Sequence, residues 1–211
     1  MPALDRAVYN DKSDTGWQQV TLDEKMQVRK TQLQDLEEVL DIYQQARDFM
    51  KETGNPFQWG ESWPPSHLIE EDILQQKSYV CVEILPPTAD TSATEAVVAV
   101  FFLEMVDDPT YHQIYQGQWL EPQQPYGVVH RLASSRRVRG AATFCLQWAL
   151  EQCGNIRIDT HQANLPMQNL LQKLGYHYCG VIHTHDGTPR LAYQQVRKKT
   201  GHKTSFCNKS I

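Results

Sequence analysis

The chain has 211 residues, enough for one domain with a sizeable core, and its 40% hydrophobic and 21% charged residues are ordinary for a globular protein. The formal net charge of -5 argues against broad nucleic-acid binding, which usually needs a basic surface, but it allows a local site for an anionic small ligand. No apolar run approaches the roughly 20 residues that span a bilayer, and the polar N-terminus lacks the apolar segment of a secretory signal, so we expect no membrane association.

Composition divides the chain into three segments. Residues 1–25 are polar and aperiodic, which predicts a flexible extension. Residues 26–196 carry the periodic apolar patterns of one folded domain, and residues 197–211, rich in Lys, Thr and Ser, predict a frayed tail. The five cysteines are odd in number and contain no C-x-x-C pair, so we expect reduced thiols in a cytoplasmic protein.

Within the domain, apolar periodicity predicts strands that alternate with helices. Thr31, Ser66 and Asn164 are the predicted caps of three helices, and the strand over 96–106 is apolar enough to be covered on both faces. The alternation predicts a layered α/β domain. The other predicted strands lie at 26–30, 79–85, 127–133, 156–160, 176–183 and 190–195, a further helix lies at 140–153, and loops lie at 55–65 and 107–125.

The turn after the strand over 127–133 carries the clearest chemical signal. It reads Arg137-Val138-Arg139-Gly140-Ala141-Ala142-Thr143, with small residues and arginines where a helix begins. Free N–H groups and the helix dipole meet at such a point, and together they suit a pyrophosphate. The turn is neither a P-loop nor a G-x-G-x-x-G turn. A solvated basic turn of no function would have the same composition.

A second segment, with Asn164, Met167, Leu170, Lys173, Gly175 and Tyr176, makes the pattern specific. Together with the turn at Gly140, this segment resembles the GNAT acetyltransferases. Arg137, Gly140 and Ala142 match the family's R/Q-x-x-G-x-G/A signature. The resemblance is closest to a branch of small bacterial members, covers residues 26 to about 196, and implies a three-layer α/β fold. In that fold a mixed, mostly antiparallel sheet of six to seven strands is flanked by about four helices. The family's second conserved stretch matches Asn164, Met167, Leu170, Lys173, Gly175 and Tyr176.

The resemblance implies an acyl-CoA cosubstrate, expected to be acetyl-CoA, and no metal. In the family, backbone N–H groups of the signature turn hold the CoA pyrophosphate, and the pantetheine arm lies along the preceding strand. A backbone N–H near Leu132 would then polarise the thioester carbonyl. The implied cofactor-binding residues are Leu132, Ala133, Ser134, Arg137, Val138, Arg139, Gly140, Ala141, Ala142, Thr143 and Asn164.

The implied reaction is direct attack of a primary amine on the thioester in a ternary complex. The amine must lose a proton and the leaving thiolate must be stabilised or protonated. His130, Asp159 and His161 are the candidate catalytic residues, although His130 has an ordinary packing alternative. Asp159 and His161 fall on the same face of their strand and could form an acid–base pair, or His161 could simply end the strand beside a helix cap. The tyrosine that protonates the thiolate in many members is replaced here by Leu171.

Two loops supply the candidate acceptor site. Trp59, Glu61 and Trp63 lie in the loop that covers the acceptor in the family, with Glu61 as a partner for an ammonium group, and Tyr126 lies on the other side. The same loop could instead pack on the sheet. The sequence leaves the amine open, whether in a small molecule or a peptide, and allows a homodimer. A non-catalytic CoA-binding or interaction module is the alternative, which Leu171 favours.

Overall fold

The computed structural model describes residues 8–10, 19–21, 25–88 and 92–197. Two short strands near the N-terminus, β1 (Val8–Asn10) and β2 (Gln19–Thr21), pair antiparallel in a small sheet of their own. They belong to the segment 1–25 for which the sequence predicts flexibility, and most of that segment lies outside the described residues. The predicted tail beyond residue 197, with Cys207, also lies outside them.

The remaining elements follow the predicted alternation of strands and helices, with boundaries shifted by a few residues. Short 3-10 turns at Leu33–Asp35 and Pro109–Tyr111 accompany them. The elements are β3 (Met26–Lys30), α1 (Leu36–Glu52), α2 (Ser66–Leu74), β4 (Ser78–Leu85), β5 (Thr94–Met105), β6 (Gly127–Ser134), α3 (Ala141–Cys153), β7 (Asn155–Thr160), α4 (Leu165–Lys173), β8 (His177–His183) and β9 (Pro189–Val196).

Seven of these strands form one mixed sheet in the order β3-β4-β5-β6-β7-β9-β8. The neighbours β6 and β7 run parallel, and the other neighbours run antiparallel. A parallel pair needs a crossover connection, and α3 supplies it. Helix α3 therefore begins just beyond the C-terminal end of β6. The predicted sheet of six to seven strands with about four helices is confirmed.

Apolar side chains pack on both faces of this sheet. Helix α3 covers one face with Cys145, Leu146 and Ala149, while α1 and α2 cover the other. Strand β5 contributes to both cores, with Phe101 on the α3 side and Val100 on the α1 side. The prediction that this strand is covered on both faces is confirmed.

Two predicted helix caps are wrong. Thr31 Oγ1 lies 2.7 Å from the Ser78 hydroxyl and so serves the sheet, while the carboxylate of Asp35 accepts the N–H of Gln32 at 2.8 Å before α1. Ser66 is the first residue of α2 and not its cap. A hydroxyl near a helix start can satisfy a neighbouring strand instead, and a charged carboxylate is the stronger acceptor for an N–H group.

Two further observations concern the part of the chain that the structure describes. None of its helices combines the length and apolar character needed to cross a bilayer. The four cysteines within it are free thiols: Cys81, Cys145, Cys153 and Cys179.

Candidate functional site

The two parallel strands diverge at the centre of the sheet. Over the described residues they are paired at two positions, Gly127 with Ile156 and Val128 with Arg157. Beyond these pairs β6 stays paired with β5, and β7 stays paired with β9. The edge of β6 over residues 129–134 that faces β7 is therefore free of strand pairing. Such an edge can accept an extended ligand as if it were an added strand.

A β-bulge shapes the C-terminal half of β6. Two of its residues, Arg131 and Leu132, lie opposite the single β5 residue Phe101. Arg131 has φ +53°, a left-handed conformation that costs a non-glycine residue roughly 1–2 kcal/mol. The conformation is held by Asp72, whose carboxylate lies 2.5 Å from the Arg131 guanidinium, and by Tyr43, whose hydroxyl donates to the Arg131 carbonyl at 3.2 Å. The bulge thus turns the backbone at Leu132 relative to a regular strand.

The predicted pyrophosphate turn lies between β6 and α3. Gly140 is the N-cap of α3, with φ +95° and without a capping side chain, so the first N–H groups of the helix have no side-chain acceptor. A Cβ placed on Gly140 would meet no atom within 4 Å, which leaves space for a ligand. Arg137 and Arg139 are exposed, and their side chains make no hydrogen bond or ion pair within the described residues. Arg136 instead lies 4.5 Å above the ring of Phe49.

Most of the predicted cofactor-binding residues can offer only their backbone. Leu132 and Ala133 point into the cores on opposite faces of the sheet, as alternate residues of a strand do. Val138, Ala141 and Ala142 pack against the α3 core. The half-buried hydroxyls of Ser134 and Thr143 complete the predicted set in this region.

Asn164 connects helix α4 to the loop before α2. Its Oδ1 accepts the N–H of Met167 at 3.2 Å, which confirms the predicted helix cap. Its Nδ2 donates to Gln58 Oε1 at 3.0 Å, and the same oxygen accepts the side-chain amide of Asn55 at 2.7 Å. Gln58, which the sequence did not single out, thus joins a predicted pantetheine residue to the predicted acceptor loop.

A cluster of partly buried polar side chains surrounds His130. His130 Nε2 lies 3.0 Å from Asp108 Oδ2, and His130 Nδ1 lies 3.9 Å from Asp159 Oδ1. The Tyr111 hydroxyl donates to Asp159 Oδ1 at 2.7 Å, and Arg190 Nε lies 3.9 Å from Asp159 Oδ2. Two predicted catalytic residues, His130 and Asp159, therefore share one cluster. The structure adds Asp108, Tyr111 and Arg190 to it.

Burial and hydrogen bonding set the protonation states around this cluster. Burial by itself raises the pKa of Asp108, but hydrogen bonds from His130 and Thr110 outweigh it and hold that pKa well below its usual range. Burial, reinforced by the charge of Asp159, raises the pKa of Tyr111 far above its ordinary value. Asp108 is thus an anionic acceptor, and Tyr111 is a permanent donor at neutral pH.

His161 lies at the end of β7 and does not bond to Asp159 within the described residues. Its Nδ1 accepts the N–H of Ala163 at 3.2 Å, and its carbonyl accepts the N–H of Asn164 at 2.9 Å. Burial, and then the charge of Arg190, lower its pKa, so the neutral ring is favoured. This is the second of the two arrangements considered from the sequence, a strand end beside a helix cap.

The loop over 55–65 places its three predicted acceptor residues in different surroundings. Glu61 is 84% exposed and pairs with Lys51 at 2.9 Å. Trp59 packs edge-on against Tyr43, with ring centroids 5.7 Å apart, beside the α1 core. Trp63 is 45% exposed. Their contact with an acceptor stays a prediction.

Tyr126 belongs to a third core, beneath the excursion over 107–125. Its ring lies 3.7 Å from the Arg157 guanidinium, and Trp119 packs on the same group at 4.3 Å. Trp119 Nε1 also donates to the carbonyl of Tyr111 at 3.0 Å. This packing holds Tyr111 and its 3-10 turn against the sheet. A direct contact of the buried Tyr126 with an acceptor stays a prediction.

The described residues contain no group of three or more His, Cys, Asp or Glu side chains arranged to hold a metal ion. The candidate site consists of the free β6 edge, the turn at Gly140 and the cluster around His130. An extended anionic ligand along β6 would end at the helix start, and an imidazole lies one residue before the bulge.

Several solved structures resemble the chain. A GNAT-family acetyltransferase from Streptococcus agalactiae is 31% identical, with a TM-score of 0.69, and the match covers 82% of this chain and 96% of that one. A second, from Listeria monocytogenes, is 15% identical, with a TM-score of 0.55 and coverages of 89% and 99%. A third, from Bacillus cereus, is 13% identical, with a TM-score of 0.50 and coverages of 82% and 99%. The last two share the fold alone. No protein-family model and no curated protein matches the chain.

Proposed function

Because the chain belongs to the GNAT family of acetyltransferases, we propose that it transfers an acetyl group from acetyl-CoA to a primary amine of a small molecule or peptide. The observation that carries this proposal is the divergence of β6 from β7, which leaves a free strand edge leading to the uncapped start of α3. The edge suits the extended amide-bearing pantetheine arm, and the helix start suits the pyrophosphate.

The residues present fit the cosubstrate at both ends of this path. The backbone of Leu132, Ala133 and Ser134 would hydrogen-bond the pantetheine, and the N–H groups from 137 to 143 would hold the pyrophosphate, with Arg137 and Arg139 adding positive charge. The open space at Gly140 allows close approach to the backbone. Asn164 has its side chain committed to Met167 and Gln58, so it would support the arm chiefly by fixing the start of α4.

Deprotonation of the amine and stabilisation of the oxyanion each have a candidate residue of this chain beside the free edge of β6. His130 would accept the proton that the acceptor ammonium loses, because only the neutral amine can attack. The N–H of Leu132, turned by the bulge, would stabilise the oxyanion that forms on the thioester carbonyl. The carboxylate of Asp159 beside His130 would favour arrival of a cationic acceptor. The new C–N bond then replaces the C–S bond. The nitrogen gives up its second proton, and the thiolate takes one, directly or through water.

The alternative is a CoA-binding or interaction module that does not catalyse acyl transfer. Its support is Leu171, which occupies the position of the family's tyrosine acid and is fully buried in the α3 core. Two measurements on the full chain separate the alternatives. Acetyl-CoA at about 100 times its Kd should stabilise the fold by about 2.7 kcal/mol. Release of free thiol with a panel of amines, measured against hydrolysis alone, then reports turnover.

The two measurements have different expected outcomes for an acetyltransferase and for a CoA-binding module. We expect both stabilisation by acetyl-CoA and amine-dependent thiol release. Stabilisation without any amine-dependent release would favour the binding module. The absence of stabilisation at saturating acetyl-CoA would refute the coenzyme site itself.

A further inference from the structure

His130 contacts a different structural element through each ring nitrogen. Its Nε2 is at hydrogen-bond distance from Asp108 Oδ2, at 3.0 Å, in the segment just before the 3-10 turn Pro109–Tyr111. Its Nδ1 is 3.9 Å from Asp159 Oδ1 on β7, which is too long for a hydrogen bond. A neutral imidazole carries one N–H and one lone pair, so a lasting acceptor at one nitrogen decides where the proton resides.

Asp108 is built to be that lasting acceptor. Its Oδ1 accepts the backbone N–H of Thr110 at 2.9 Å and the Thr110 hydroxyl at 2.6 Å, which fixes the carboxylate and leaves Oδ2 for His130. The Asp108 side chain is 16% exposed, so water competes little for that oxygen. The segment that carries Asp108 is held in place by the packing of Tyr111 against Trp119.

Asp159 does not compete for the imidazole proton. Its Oδ1, the oxygen nearer to His130, already accepts the Tyr111 hydroxyl at 2.7 Å. Its Oδ2 faces Arg190 at 3.9 Å. The His130 ring is also confined between aromatic neighbours, with ring centroids 5.8 Å from Phe102 and 6.0 Å from Tyr111. These contacts hold the ring in the orientation that directs Nε2 to Asp108.

We propose that Asp108 is a positioning residue that keeps neutral His130 in its Nε2–H tautomer and so leaves the Nδ1 lone pair as the base for the acceptor amine. In the reaction the ammonium proton moves to Nδ1, the neutral nitrogen attacks the thioester carbonyl and the C–S bond breaks. Of the two protons that the nitrogen gives up, one goes to the departing thiolate and the other to solvent. Asp108 stays ionised throughout and stabilises the imidazolium. The part played in acyl transfer rests on the proposed function, whereas the tautomer assignment stands without it.

The chain provides a matched control in the neighbouring residue. Asp107 Oδ1 lies 2.8 Å from His112 Nε2, but here the side chains are 80% and 55% exposed. This pair has the same chemistry and nearly the same sequence position, but it lies in solvent. Asp107→Asn therefore removes one carboxylate from the same segment without touching His130, and its new amide oxygen can still accept the Tyr126 hydroxyl, which lies 3.5 Å from Asp107 Oδ1.

The first test reads the tautomer directly. The full chain labelled with 15N at histidine is studied by two-bond 1H–15N correlation at a pH where an ordinary imidazole is neutral. We expect His130 in the Nε2–H form in the wild type and in Asp107→Asn. In Asp108→Asn we expect a shift toward the Nδ1–H form. If the new amide oxygen still accepts the Nε2 proton, the shift should appear in Asp108→Ala. An unchanged His130 tautomer in both Asp108 variants would overturn the proposal, as would an Nδ1–H form in the wild type.

The second test reads the catalytic consequence. Asp108→Asn should lower kcat by about 10- to 100-fold, less than the roughly 10²–10⁴-fold contribution of a positioned base, with little change in the KM for acetyl-CoA. In a His130→Gln background the same substitution should have no further effect, because the pair acts as one unit. An equal loss in that background would refute positioning through His130. Thermal melting with and without acetyl-CoA shows whether each variant is folded. If the wild type is inactive with every amine, the proposed function is refuted, while the tautomer result stands.

Discussion

Helix α3 begins and ends with a left-handed glycine, which provides two matched positions for testing the coenzyme site. Gly140 precedes its first turn with φ +95°, and Gly154 follows its last turn with φ +72°. A Cβ at either position would meet no atom within 4 Å, so neither substitution creates a clash. The folding cost of a larger residue therefore comes from the backbone conformation alone, about 1–2 kcal/mol at each end.

We expect Gly140→Leu and Gly154→Leu to destabilise the fold alike, and only Gly140→Leu to lose acetyl-CoA binding. A loss of about 1–2 kcal/mol lowers Tm by about 2–8 °C for a protein of this size. Acetyl-CoA at about 100 Kd should raise Tm of the wild type and of Gly154→Leu by about 5–11 °C. If the leucine over the free N–H groups weakens binding about 100-fold, the same acetyl-CoA concentration stabilises Gly140→Leu by only about 0.4 kcal/mol. Its Tm then rises by about 1 °C.

Thermal denaturation of the two variants over an acetyl-CoA titration measures both quantities in one experiment. The result that would refute the reasoning is a Gly140→Leu variant that keeps the ligand-induced shift of Gly154→Leu. The start of α3 would then not hold the pyrophosphate. If both variants lost the shift, binding would depend on the whole helix and not on the donors at its start.

Three further substitutions test other parts of the site. Gln58→Ala leaves the buried amides of Asn55 and Asn164 without their shared acceptor, so we expect about 1–3 kcal/mol less stability and a higher KM for acetyl-CoA. Gln75→Ala, which removes an exposed hydrogen bond to Glu71, should change neither. Asp72→Ala leaves the Arg131 charge buried and unpaired, so urea denaturation should show a loss of about 3–5 kcal/mol; a loss below about 1 kcal/mol would contradict a bulge held by this pair. Because the pKa of His161 is lower in the folded than in the unfolded chain, protons bind the unfolded chain first and stability falls as the pH drops through about 6.5; His161→Asn should flatten this decline between about pH 7 and 5 in urea titrations.

The elements that the sequence predicts correctly are those whose signals are local. Helix α3 has its glycines at both ends and its apolar residues at helical spacing, and β5 is nearly continuous in apolar residues, so each can be assigned from a short window. The predicted turn at Gly140 is local in the same sense. The cap predicted at Thr31 is wrong because its hydroxyl bonds to Ser78 on another strand, and the cap predicted at Ser66 is wrong because α2 begins at Ser66 itself, after Pro65.

The contacts that complete the candidate site are not local and so escape sequence reasoning. Asp108 pairs with His130, which is 22 residues away, and Gln58 bonds to Asn164, which is 106 residues away. Both pairings depend on the order of strands in the sheet and on how the two long loops pack. A local signal does exist at Asp108, because an aspartate followed by proline and threonine favours a capped turn, but it does not indicate which side chain the free carboxylate oxygen meets.

Leu171 changes the route by which a proton reaches the leaving sulfur but does not prevent turnover. The leucine is fully buried in the α3 core, so no acid can act from that position. Acyl transfer from a thioester to a neutral amine nevertheless conserves protons, since the nitrogen loses one and the sulfur gains one. An ammonium acceptor gives up one further proton to solvent before it attacks. An ordinary thiol has a pKa near 8.5 and an ordinary imidazole one near 6.5, so transfer from imidazolium to thiolate is favourable by about 2.7 kcal/mol. One histidine at the position of His130 can therefore serve first as the base and then, directly or through water, as the proton donor to the thiolate. The loss of the tyrosine removes a second acid, but a proton donor for the thiolate is still present.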